Sequence, residues 1–179
     1  LNQESIDINK ARTNDGQTPL YIACSEGHTD IVNALLNQES IDINKARTND
    51  GTTPLLAACQ EGHTDIVNAL LSQDSIDINI ATDSGMTPLY TACYGGHIDI
   101  VNALLSDDNI NINVKDTDGR TALDMASDNN NIMKLFDRYK KFNIQLTKPT
   151  TLTEPIEMCI FCLEKWKPED NYVKLKCGH

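Results

Sequence analysis

The apolar positions of this chain repeat. Ile31, Val32, Leu35 and Leu36 make one stripe at helical spacing, which returns as Ile66, Val67, Leu70 and Leu71 and again as Ile100, Val101, Leu104 and Leu105. Ahead of each stripe lies a second short segment, opened by Thr18-Pro19, Thr53-Pro54 or Thr87-Pro88. Threonine is a good helix N-cap, and proline at the first helical position has a preset φ and no amide hydrogen to leave unpaired. These segments close at Gly27, Gly62 and the Gly95-Gly96 pair, where glycine accepts the left-handed conformation that ends a helix. Asp30, Asp65 and Asp99 precede the stripes, putting negative charge at the positive end of the helix dipole. Each unit therefore predicts two short helices. Residues 41–44, 76–79 and 110–113 alternate apolar and polar and predict short half-buried extended returns, with Asp15-Gly16, Asp50-Gly51, Ser84-Gly85 and Asp118-Gly119 turning into the next unit.

The turn glycines Gly16, Gly51, Gly85 and Gly119 recur about every 34 residues, and residues 1–16 are identical to residues 36–51. A helix pair this short cannot bury its own apolar face, so the units must stack and the ends of the stack must be capped. The last unit is worn. Residues 121–127 keep the first helix, Asp128 and the three asparagines after it replace the Gly-His turn, and Ile132, Leu135, Phe136 and Tyr139 still make an amphipathic helix, closed by Lys140 and Lys141. It is the expected capping unit.

The pattern Asp-Gly-x-Thr-Pro-Leu-x-x-Ala-Cys-x-x-Gly-His-x-Asp-Ile-Val-x-x-Leu-Leu resembles the ankyrin repeat. The resemblance implies an all-α solenoid over residues 1–142: a partial first repeat, three good repeats and the degraded cap. It departs from the family at Tyr21, Leu56 and Tyr90, where ankyrin repeats commonly carry histidine, and in longer loops at Ser40, Ser75 and Asn109. Residues 143–157, with repeated threonine and two prolines, read as a linker.

Composition narrows the function. The net charge of −11 falls on residues 1–142, while residues 143–179 are neutral, so the array repels a phosphate backbone and no nucleic-acid partner is expected. No run of apolar residues is long enough to span a membrane. Cys24, Cys59 and Cys93 fall at equivalent places one repeat apart, too far for disulfides, and read as small buried apolar groups. An intracellular location, cytoplasmic or nuclear, and a monomer are expected. Both ends read as cuts within a longer protein.

No catalytic constellation occurs in the repeats. His28, His63 and His97 recur one per unit and are expected to serve the fold. The ankyrin resemblance implies a concave surface, built from the turn fingers and first helices, that takes a protein substrate or partner. Its contact positions here are Asn14, Asp15, Gln17, Ser25 and Glu26, then Asn49, Asp50, Thr52, Gln60 and Glu61, then Asp83, Ser84, Met86 and Tyr94. Tyr94 and Met86 are the expected anchors, because interface cores are enriched in aromatic residues and methionine.

The tail carries different chemistry. Cys159 and Cys162 are separated by two residues, and after fourteen more come Cys177 and His179. Paired thiolates at this spacing point at zinc, and these four ligands complete one closed tetrahedral site if they share an ion. The local residues Cys159-Ile-Phe-Cys162-Leu-Glu and Leu175-Lys-Cys177-Gly-His179 are also similar to the first half of a RING finger. That resemblance implies a zinc-dependent ubiquitin ligase over residues 158–179 and beyond. Cys159 and Cys162 would serve one of two cross-braced zinc ions and Cys177 and His179 the other, with Phe161 against a ubiquitin-conjugating enzyme. It implies no covalent nucleophile, and a half-built module in residues 158–179 taken alone, inactive as a ligase and poorly ordered at its C-terminus. The alternative is a non-catalytic ankyrin adaptor with one structural zinc.

Overall fold

The computed structural model describes residues 7–147, the last five by their backbone alone. Among them are eight helices and no strand: α1 (Pro19–Ser25), α2 (Thr29–Leu36), α3 (Pro54–Glu61), α4 (Thr64–Leu71), α5 (Pro88–Gly95), α6 (Ile98–Leu105), α7 (Ala122–Met125) and α8 (Asn130–Thr147). Contacts divide the chain into two units, Leu1–Ile144 and Gln145–His179. The expected zinc ligands and most of the expected linker lie outside the described residues.

The Thr-Pro openings act as expected. The hydroxyls of Thr18, Thr53 and Thr87 accept from the amides of Tyr21, Leu56 and Tyr90 at 3.1, 3.2 and 3.2 Å. In α7, which lacks the proline, Thr121 and Asp124 form a reciprocal capping box instead. Successive first helices pack in a row, α1 on α3, α3 on α5 and α5 on α7, while α2, α4 and α6 pack in a second row behind them. One core runs between the rows. Leu55, Leu70, Leu89 and Leu104 are wholly buried in it, as are Ile132 and Phe136 of α8. Cys24, Cys59 and Cys93 are buried free thiols, and burial pushes Cys24 and Cys93 up to about 12.

Two features differ from the sequence expectation. The returns are turns, because Asx side chains bend them: the Asn44 amide donates to Asp42 Oδ1 at 3.2 Å and the Asn79 amide to Asp77 Oδ1 at 2.9 Å. Ile43 and Ile78 still point into the core. Second, α8 runs on to Thr147, into the stretch expected as linker. Paired lysines at 140–141 favour a helix C-terminus through the dipole without ending a helix; Pro149 is the first residue beyond them that cannot continue one.

Asparagines tie one repeat to the next. Asn44 Nδ2 donates to the Ser75 carbonyl at 2.7 Å, and Asn44 Oδ1 accepts from the Asp77 amide at 2.9 Å. Asn9 clamps Ser40 and Asp42 in the same way, and Asn79 clamps Asn109 and Asn111. Histidines tie the helix turns. His63 Nε2 lies 3.2 Å from the Ser25 carbonyl and His97 Nε2 3.2 Å from the Gln60 carbonyl, which confirms the structural role expected for them. This is why glycine is required at position 62: it ends α3 at φ 78°, and a Cβ there would stand 2.7 Å from the His97 ring.

Candidate functional site

Tyrosines of the first helices reach the fingers. Tyr21, in α1, lies beneath the guanidinium of Arg47, 5.4 Å from the ring centroid. Burial pushes its phenol upward, opposed by the charge of Arg47 and reinforced by Asp50 and Asp15 in the fingers and by Glu61 at the end of α3. Tyr90, the equivalent residue of α5, donates its hydroxyl to Asp116 in the following finger at 2.8 Å. Tyrosine therefore links helix to finger at two of the three positions where the family carries histidine.

Three of the four fingers hold their own ion pair, and the finger at residues 80–84 has none among the described residues. Arg12 pairs with Asp15, Arg47 with Asp50, and Arg120 with Asp116 and Asp118. The Arg47 side chain holds the Asp50 carboxyl well below its ordinary range, against the effect of burial. For Asp116 burial acts upward, but the Arg120 amide, the Tyr90 hydroxyl and the Arg120 guanidinium outweigh it and hold the carboxyl at about 2. The fingers also bond to each other: the Asp83 amide donates to the Asp50 carbonyl at 2.9 Å and the Thr117 amide to the Ser84 carbonyl at 3.0 Å.

The sequence-selected contact residues fall into three groups. Asn14, Glu26, Asn49, Gln60, Glu61, Asp83 and Tyr94 are exposed, Tyr94 by 78%. Asp15, Gln17, Ser25, Asp50, Ser84 and Met86 are half-buried; the two aspartates are held by arginine, and Met86 packs against the core. Thr52 is a correction. It is only 5% exposed, because its backbone closes the finger turn through the Arg47 amide and Asp50 Oδ1, so it offers a partner no surface.

Two exposed isoleucines lie outside the expected set. Ile98, 37% exposed, opens α6 where α2 and α4 begin with threonine, a difference visible by aligning the copies. Ile31 is 51% exposed, whereas its equivalents Ile66 and Ile100 are 1% exposed, because no described unit covers the outer face of α2. Among the described residues no group of histidine, cysteine and carboxylate side chains could hold a metal, and no helix is long and apolar enough to cross a membrane.

Residues 1–82 match a family model described as ankyrin repeats in three copies, and residues 70–126 match one described as ankyrin repeats in many copies. No curated protein matches the chain.

Proposed function

Because the repeats across residues 1–126 belong to the ankyrin family, we propose that this chain captures a protein partner on the face formed by its fingers and first-helix ends and presents it to a zinc-bearing ubiquitin-ligase module in the tail. Ankyrin repeats are protein-interaction repeats, and the observation that carries the first half is Tyr94. It is a large aromatic side chain, 78% exposed, on a stack whose other apolar groups are mostly buried. Exposed aromatic residues on a rigid scaffold are the usual anchors of protein interfaces.

The second half rests on the spelling of the tail. Three thiols and an imidazole form the donor set of a closed tetrahedral zinc site, so Cys159, Cys162, Cys177 and His179 fit the metal. Zinc in such a site supplies folding energy to a segment too short to build a core. By the RING resemblance Phe161 would meet a ubiquitin-conjugating enzyme, and the ligase would position the charged ubiquitin without carrying it. The test is self-ubiquitination by the protein translated through the end of its reading frame, with and without Phe161→Ala. Transfer that the substitution abolishes supports the ligase. Zinc held at one ion per chain with no transfer by any conjugating enzyme supports a non-catalytic adaptor, the reading favoured by four ligands sufficing for one site.

A further inference from the structure

The second and third repeats differ where stacking asks for no difference. Helices α2 and α4 are the same eight residues, and α6 changes only the first, Thr to Ile98. At the helix turn, Ser25-Glu26 and Gln60-Glu61 become Tyr94-Gly95. In the finger, Asp15 and Asp50 become Ser84. The third repeat thus loses the carboxylates of two positions, gains one at Asp83 where the earlier repeats carry Asn14 and Asn49, and gains two exposed apolar side chains, Tyr94 and Ile98, on an acidic stack.

The helix turns form a continuous row. His97 joins the α5–α6 turn to Gln60 at the end of α3, and Asn129 of the α7–α8 turn lies against Gly96. Tyr94 is therefore flanked by Glu61 one repeat before and Asp128 one repeat after. The arginines of the neighbouring fingers are already committed to Asp15, Asp50, Asp116 and Asp118. Glu26, Glu61, Asp83 and Asp128 have no ion pair among the described residues.

We propose that Tyr94 and Ile98 anchor an extended basic segment of a partner protein, whose lysines or arginines meet Glu61 on one side and Asp128 on the other. This rests on the partner-capture reading above and names the partner's chemistry. Packed helices lie about 10 Å apart, and an extended chain advances about 3.3 Å per residue, so the cations fall roughly three residues to either side of an aromatic or aliphatic anchor. An acidic segment would meet uncompensated like charge at both flanks.

The test uses the whole chain and a library of fluorescent peptides with a central phenylalanine or leucine and lysine, glutamate or serine three residues away on both sides, read by polarisation. The comparison protein is the triple variant Tyr94→Gln, Gly95→Glu, Ile98→Thr, which spells the third turn as the second and so keeps a sequence this stack already folds. The expected result is that the lysine-flanked peptides bind best, weaken as salt is raised, and lose about tenfold or more against the triple variant, as truncating a hot-spot anchor does. Equal binding of the glutamate-flanked peptides, or full binding by the triple variant, overturns the proposal and leaves the array a binder of other partners. If no peptide of any class binds the unaltered chain, both the proposal and the assignment of this face to partner capture fail.

Discussion

Replacing Asn44 by alanine removes two hydrogen bonds that cross from one repeat to the next, at 2.7 Å to the Ser75 carbonyl and 2.9 Å from the Asp77 amide. A typical hydrogen bond contributes about 0.5–1.5 kcal/mol net, so the pair is worth about 1–3 kcal/mol. Water reaches both partners once the amide is gone, which puts the expected loss in the lower half of that range. Asn113 is the built-in control. It occupies the same place in its own return, but its side chain has no hydrogen-bond partner among the described residues, since no further return follows to be clamped. Asn113→Ala should therefore stay within about 0.5 kcal/mol of the unaltered protein. Urea unfolding followed by far-UV circular dichroism reads both. Because repeat arrays lose two-state behaviour when one interface is weakened, the Asn44 variant is also expected to broaden the transition. Equal losses at the two positions, or none at Asn44, would refute the claim that these amides couple the repeats.

Ile66→Ala should cost about 2–5 kcal/mol as a large-to-small change in a packed core, and Ile31→Ala clearly less, because Ile31 is 51% exposed against 1% for Ile66; equal costs in calorimetry would mean that the outer face of α2 is covered. Asp116 titrates at about 2 in the fold and near 3.9 when unfolded, so its carboxylate adds stability above about pH 4 that is lost as the pH falls towards 2. Tyr90→Phe removes a donor to that carboxylate and should move the loss to higher pH, read as the pH dependence of the urea midpoint; an unmoved profile would discount the hydrogen bond. Of the six cysteines, the three in the array should resist thiol reagents until the fold is unfolded. With zinc present the three in the tail should resist as well and become reactive when a chelator is added, whereas ready reaction of the tail thiols with zinc bound would contradict the ligand assignment.

The helices were legible because their openings are written locally: Thr-Pro sets a cap and a first turn, and each lies where that spelling puts it. The expected structural histidines were legible from recurrence alone. The asparagine clamps were not, since an asparagine beside a turn reads as a turn former and its partners lie some thirty residues away. For the same reason the alternating returns read as extended, although Asp42 and Asp77 bend them through their own side chains. The binding face was partly legible. Tyr94 could be chosen as an aromatic residue at a family contact position, but the burial of Thr52 depends on a turn closed by three separate residues, and the exposure of Ile98 emerges only when the repeats are compared with one another.

A partner is expected to sit on the finger and helix-turn face. Hydrogen–deuterium exchange of the whole chain, with and without a saturating lysine-flanked peptide, locates it. Slowed exchange is expected at residues 83–86 and 94–98 and in the turn before α8, with the backs of α2 and α4 unchanged. Protection confined to those backs, with the finger and helix-turn amides exchanging as before, would contradict it.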